Sequence, residues 1–172
     1  MLVLLHRRIA FFAFTFCCAV YASAADAPKA IVIVLDGLRP DYVTQEAMPN
    51  VYALGQRGVV CANHHSVFPT VTRVNSSTFS TGCYPARHGI MGNTIYVPAV
   101  DKEKGFSTGD AKNLMKLNEV TGGKVLTVPT LGEILESAGM KLFVASSGSS
   151  GSSFLLNPHV KGGGIVNTEM VL

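Results

Sequence analysis

The chain has 172 residues, of which 48% are hydrophobic and 15% are charged, and it contains no tryptophan. This composition is too apolar for a disordered segment and predicts one globular domain with a core. The formal net charge is +3 at pH 7, and the charged residues form neither a basic run nor an acidic tail. That distribution disfavours binding to a nucleic-acid duplex by electrostatics alone.

Residues 1–24 have the pattern of a signal peptide. A basic region at residues 6–8 precedes an apolar run at residues 9–20, and the small residues 22–24 match the cleavage site of signal peptidase. A retained membrane anchor is the alternative, but the apolar run is shorter than the ~20 residues of a membrane-spanning helix. We therefore predict cleavage, export to the periplasm or beyond, and no stable membrane span in residues 25–172.

The first elements predicted after the signal peptide form a β-α-β unit. The apolar, β-branched run at residues 30–35 is typical of a parallel strand buried on both faces. Pro49 is expected to begin a short helix that ends at Gly58. A second strand is predicted near residues 59–63.

The second half of the chain continues the alternation of helices and strands. Residues 101–124 are charged and weakly periodic, which predicts a surface excursion with one helix around residues 111–118. A further helix is predicted to begin at residues 129–130 and to end at Gly139, and a strand to follow at residues 141–145. The predicted fold class is therefore α/β.

Two features near the end of the chain allow more than one interpretation. The serine- and glycine-rich residues 146–153 follow a predicted strand, which favours a tight loop at the carboxyl edge of the sheet, either an ordinary loop or a phosphate-binding one. The chain stops at Leu172 inside an apolar stretch, so we expect it to be the amino-terminal part of a longer domain. Cys61 and Cys83 either form a disulfide or are small buried side chains.

Asp36 and Thr72 are the first candidates for chemistry. Asp36 ends the first predicted strand, where α/β sheets bind ligands, although an Asp-Gly pair is also a common turn cap. Thr72 is predicted at the start of a helix that runs to about Thr81 and stops at Gly82. It is either a helix N-cap or a nucleophile in an anion site made by the free N–H groups of the first turn.

Three stretches of the chain together resemble the type I phosphodiesterase and nucleotide pyrophosphatase family of the alkaline phosphatase superfamily. They are IVIVLDGLRPDY, MPNVYALGQRGV and VFPTVTRVNSSTFSTGCYPARHGIMGN, in this order and spacing. The resemblance implies an alkaline-phosphatase-like parallel-sheet sandwich, of which this chain is the amino-terminal portion. It also implies that Asp36 is a zinc ligand, that Thr72 is the nucleophile and a second ligand, and that Asn93 binds the phosphoryl oxygens.

The mechanism implied by this resemblance uses two zinc ions and a phosphothreonine intermediate. The backbone N–H of Arg73 is expected to stabilise the transferring oxygens together with Asn93, and the Arg73 side chain either contacts substrate or is simply solvated. Two zinc ions need more donors than Asp36 and Thr72 provide, so we expect further ligands beyond Leu172. The four histidines outside the signal peptide lack the spacing of the family's ligand motifs, and His88 is expected to donate to the backbone of a turn; they are His64, His65, His88 and His159.

The predicted function is therefore hydrolysis of phosphodiester or pyrophosphate bonds in a small-molecule phosphate ester. Residues 71–76 depart from the K-T-F-P-N-H pattern of many nucleotide pyrophosphatases, so a nucleotide preference does not follow. Residues 81–89 also resemble sulfatases, but Thr72 replaces the cysteine or serine that formylglycine chemistry requires. Two alternatives remain: a phosphomonoesterase or phosphonate hydrolase of the same superfamily, and a non-catalytic secreted binding module.

Overall fold

The computed structural model describes residues 29–160, 163–168 and 170–172. The predicted signal peptide lies outside the described residues. The chain divides into two compact units, Met1–Val34 and Leu35–Leu172. Within the described part, no helix is long and apolar enough to cross a membrane.

The predicted β-α-β unit is only partly correct. Residues 30–35 form no strand and are exposed, with Ile31 at 87% of its full accessibility, and residues 59–63 likewise form no strand. Both predictions were wrong because an apolar, β-branched run forms a strand only where another strand satisfies its N–H and C=O groups. Among the described residues, that pairing occurs further along the chain.

The helix between the two segments is confirmed. A 3₁₀ turn at Pro40–Tyr42 precedes helix α1, Pro49–Arg57, and Gly58 caps its carboxyl end. Pro49 suits the first turn because proline needs no N–H acceptor there. No residue of α1 is buried, so this helix contributes little to the core of the described structure.

Helix α2 is also confirmed and carries the candidate nucleophile. It spans Thr72–Thr81 and ends at Gly82, whose φ of 65° lies in the left-handed region that glycine tolerates. Its buried face consists of Val74, Ser77 and Ser80. A short helix, α3, follows at Pro85–His88.

The segment predicted as a surface excursion instead contributes to the core. Strands β1 (Thr94–Ile95) and β2 (Phe106–Ser107) pair antiparallel, and helix α4 covers Ala111–Val120, which confirms the predicted helix. Phe106, Leu114 and Leu117 are buried in one hydrophobic cluster with Val74 of α2. Charge density concealed this role because the buried residues of α4, Ala111, Leu114 and Leu117, recur at helical spacing among charged and polar residues.

The remaining elements confirm the α/β class. Helix α5, Leu131–Ser137, begins with a capping box between Thr130 and Glu133, at the predicted start. Strand β3, Phe143–Ser146, confirms the predicted strand with a later start. Strand β4, Gly164–Asn167, pairs parallel to β3, and β5, Met170–Val171, pairs antiparallel to β4.

Half of the serine- and glycine-rich segment 146–153 is helical, contrary to the predicted loop. Residues 147–149 form a short connection, and helix α6, Ser150–Leu156, follows with Ser149 as its N-cap and all but its last residue buried. Small side chains permit this burial because they let α6 lie close to α2 and to the Thr108–Gly109 backbone, where Gly151 has no room for a Cβ. Cys61 and Cys83 are both free thiols.

Candidate active site

Asp36 lies in a tight turn and is exposed. The N–H of Leu38 donates to the carbonyl of Leu35 at 3.3 Å, and Gly37 adopts a φ of 75° that favours glycine. The Asp36 carboxylate accepts a hydrogen bond from the Thr72 hydroxyl instead of one from the turn, with 3.1 Å between Thr72 Oγ1 and Asp36 Oδ2. The interpretation of Asp36 as a mere turn cap therefore does not describe this structure.

Thr72 is the first residue of α2 rather than its N-cap. Val71 holds the N-cap position and provides no side-chain acceptor. Within the described part of the chain, the N–H groups of Thr72, Arg73 and Val74 have no hydrogen-bond acceptor. The exposed Thr72 hydroxyl thus lies beside a helix terminus that favours anions, and it contacts a carboxylate 36 residues earlier in the chain.

The loop before Thr72 is held by Asn75, a residue that the sequence analysis missed. Asn75 Oδ1 accepts from the N–H of Val67 at 3.0 Å, and Asn75 Nδ2 donates to the carbonyls of Val67 and Val71 at 3.4 and 3.1 Å. These bonds close residues 67–71 onto the helix that presents Thr72. A signal was present, since asparagine is a poor residue inside a helix unless its side chain has another role.

Asn93 lies just before β1, with its side chain exposed. Its carbonyl accepts from the N–H of Thr108 at 2.9 Å and from the Thr108 hydroxyl at 3.0 Å. The structure brings Asp36 and Thr72 into contact, whereas among the described residues the Asn93 side chain bonds to neither of them. Its predicted contact with phosphoryl oxygens therefore stays a prediction.

His88 is structural, but not as predicted. It is fully buried, and its Nδ1 accepts from the N–H of Ile90 at 3.2 Å instead of donating to the backbone. The ring proton therefore lies on Nε2, which donates to Thr78 Oγ1 at 3.0 Å and joins the α3 turn to α2. Burial lowers the pKa of His88 below its ordinary 6.5, so the ring stays neutral at pH 7.

The other histidines give no metal site in the described structure. His64 and His65 are exposed, and His159 Nε2 lies 3.7 Å from a carboxylate oxygen of Glu133. The described residues contain no group of three His, Cys, Asp or Glu that could hold a metal ion. The oxygens of Asp36 and Thr72 suit one shared ion, but they are only two of the four ligands that zinc takes.

Comparison with known proteins places this site in a family. The family model for type I phosphodiesterase / nucleotide pyrophosphatase matches residues 30–154, which include Asp36, Thr72 and Asn93. The chain belongs to this family. This match confirms the family that the three sequence motifs predicted. It also confirms the predicted fold class, part of an alkaline-phosphatase-like α/β domain.

The chain is similar to proteins named as a triphosphatase, a phosphodiesterase and a pyrophosphatase/phosphodiesterase. The chain is 32% identical over 102 residues to the bis(5'-adenosyl)-triphosphatase ENPP4 of Bos taurus, covering 59% of this chain and 22% of that protein. It is 35% identical over 85 residues to venom phosphodiesterase 2 of Crotalus adamanteus, covering 48% of this chain and 10% of that protein. An uncharacterised pyrophosphatase/phosphodiesterase of Schizosaccharomyces pombe is 40% identical over 73 residues, which are 42% of this chain and 15% of that protein.

The matched region is a small part of each relative. At most 22% of the length of these three proteins is covered, so the chain spans less than a quarter of each of them. No solved structure gives a significant match.

Proposed function

We propose that this protein is an exported, metal-dependent hydrolase of phosphodiester or pyrophosphate bonds in small-molecule substrates, with Thr72 as the nucleophile. The observation that carries the proposal is the 3.1 Å hydrogen bond from Thr72 Oγ1 to Asp36 Oδ2. Neither a turn cap nor a helix cap accounts for it. Membership of the phosphodiesterase and pyrophosphatase family supports the reaction type.

The reaction forms and breaks one bond to phosphorus in each half. Thr72 Oγ1 attacks the phosphorus in line, the bond to the leaving-group oxygen breaks, and a phosphothreonine forms; water then attacks the phosphorus and releases Thr72. Asp36 lies where it can hold the Thr72 hydroxyl in place before attack. Asp36 and Thr72 are the residues that would hold a zinc ion, whose positive charge would favour the alkoxide form of the Thr72 hydroxyl.

Backbone groups next to Thr72 are suited to the negative charge that develops during attack. The Arg73 N–H has no acceptor among the described residues and belongs to the positive end of α2. Donors of this kind, fixed before the reaction, stabilise a transition state without reorganising. We assign the same role to the amide of Asn93, which lies in the matched family region.

Substrate preference and metal dependence test the proposal directly. We expect kcat/KM for bis(4-nitrophenyl) phosphate to exceed that for 4-nitrophenyl phosphate by at least about 10-fold, a difference of ~1.4 kcal/mol in barrier. Treatment with a chelator should remove the activity, and Zn²⁺ should restore it. A faster reaction with the monoester would favour the phosphomonoesterase alternative, and no turnover of any ester by the zinc-loaded protein would favour a binding module.

Replacement of Asn75 tests whether the loop must be held for Thr72 to react. In Asn75→Ala, three partly buried hydrogen bonds are lost, so we expect a stability loss of about 2 kcal/mol and a fall in kcat of about 10- to 100-fold with little change in KM. Thermal melting and steady-state kinetics give the two values. Ser76→Ala is the matched control on the same helix. Equal kcat values in the Asn75 and Ser76 variants would show that the hydrogen bonds of Asn75 do not position Thr72.

A further inference from the structure

An open cleft of about 680 Å³ lies beside the amino-terminal end of α2. Its walls come from three places in the chain: Arg73 on α2, Ser107 to Lys112 at the end of β2 and the start of α4, and Ser149 before α6. The family assignment and the proposed chemistry use only the Thr72 side of this helix end. The Arg73 side chain and the cleft it lines are not used by either.

Close backbone packing forms the floor of the cleft. The N–H of Gly151 donates to the Gly109 carbonyl at 2.9 Å, which holds α6 against this loop. On the other side of the loop, a Cβ at Gly109 would lie only 2.6 Å from an Nη atom of Arg73. A side chain at position 109 would therefore displace the Arg73 guanidinium from its place against this loop.

The guanidinium of Arg73 lacks an anionic partner within the described structure. Its Nε is buried and has no hydrogen-bond acceptor. No carboxylate lies within 4.0 Å of Arg73 among the described residues, where the ion pairs are Arg39–Asp41 and His159–Glu133. A buried donor of a permanent cation is costly without an acceptor, so the group is suited to an anion that enters the cleft.

A lysine, an aspartate and serines complete the polar lining of the cleft. Lys112 adds a second cation without an ion-pair partner among the described residues. The Asp110 carboxylate also lines the cleft and keeps its negative charge; it accepts from the N–H of Lys112 at 2.8 Å as the cap of α4, and the two cations of the cleft outnumber it. Ser107 Oγ accepts from the N–H of Gly109 at 3.1 Å, which leaves its own proton free to be donated to a ligand.

We propose that this cleft is an anion subsite that binds a second phosphate group of the substrate, next to the phosphate that Thr72 attacks. Arg73 directly follows Thr72, with Cα atoms about 3.8 Å apart, so the cleft that Arg73 lines adjoins the helix end that carries Thr72. Arginine suits this task because its fork of donors matches phosphate oxygens in a bidentate arrangement. The subsite rests on the proposed function and selects substrates with a phosphorylated leaving group over diesters whose leaving group carries no phosphate.

Arg73→Gln separates this subsite from the general chemistry. We expect the ratio of kcat/KM for ATP to kcat/KM for bis(4-nitrophenyl) phosphate to fall by about 30-fold, the loss typical of a hydrogen bond to a charged group. Lys112→Gln, on the exposed rim, should show the same selectivity with about a 5-fold loss for ATP. Arg57→Gln on α1 is the matched control. An equal loss for both substrates in the Arg73 and Lys112 variants would overturn the subsite.

Binding of inorganic pyrophosphate gives a readout that does not need turnover. In the Thr72→Ala protein, pyrophosphate should bind, as measured by calorimetry, and adding Arg73→Gln should weaken the affinity by at least about 10-fold. Unchanged affinity would reject the subsite even if Thr72 is the nucleophile. If no ester is hydrolysed but pyrophosphate binding depends on Arg73, the proposed function fails and the anion subsite stands.

Discussion

Thr72→Ala is expected to lower kcat/KM for a phosphodiester by at least about 10³-fold, because it removes the atom that forms the covalent intermediate. The Thr72 side chain is exposed, and its hydroxyl bonds only to Asp36 among the described residues. The substitution should therefore leave the melting temperature nearly unchanged. Kinetic assays and thermal melting of the same preparation measure both effects.

Two further variants make the Thr72 result specific. Thr70→Ala is a matched control, since Thr70 is an exposed threonine in the same loop with no hydrogen bond of its side chain among the described residues. Thr72→Ser keeps the hydroxyl and should retain much of the activity, and the acid-quenched reaction should show a phosphate on residue 72 by mass spectrometry. Activity in Thr72→Ala equal to that of Thr70→Ala would remove Thr72 from the mechanism.

Asp36→Asn is expected to lower kcat/KM by about 10² to 10³-fold while conserving the shape of the site. Asparagine can still accept a hydrogen bond from the Thr72 hydroxyl, so the 3.1 Å contact has no steric reason to break. What is lost is the negative charge, which stabilises a bound cation. Asp36 is exposed, and the variant should fold as the parent does.

Metal binding distinguishes this explanation from a purely structural one. We expect Asp36→Asn to weaken zinc binding by at least about 10-fold in competition with a chromogenic chelator, with activity partly recovered at high Zn²⁺. Asp41→Asn is the matched control, because its exposed pair with Arg39 contributes little to stability. Equal zinc affinity in both variants would show that Asp36 is not a metal ligand.

Local signals made most of the helices predictable from the chain. Gly82 ends α2 because it adopts a φ of 65°, and Thr130 and Glu133 begin α5 by accepting hydrogen bonds from each other's backbone N–H groups. Both signals involve residues within one or two turns of each other. The position of Thr72 at a helix start and the family itself were therefore accessible from short motifs.

Strand pairing and burial could not be predicted from local sequence signals. The apolar residues 30–35 satisfy every local rule for a buried strand, yet they are exposed, while the serine-rich α6 is buried. A strand depends on a partner distant in the chain, and a serine helix is buried only if a close neighbour accepts small side chains. The local sequence pattern predicts neither condition.

For the candidate site, the residues were predictable from the local sequence, whereas their contacts were not. Short motifs were sufficient to select Asp36 and Thr72, because an acid after an apolar run and a threonine at a helix start are local patterns. Their direct contact across 36 residues, the three hydrogen bonds of Asn75 and the unpaired guanidinium of Arg73 against Gly109 came only from the tertiary structure. Residue type decides which chemistry a side chain can perform. Whether the side chain performs it depends on its distance from the other groups and on the lack of a competing partner. These two conditions depend on how the whole chain packs.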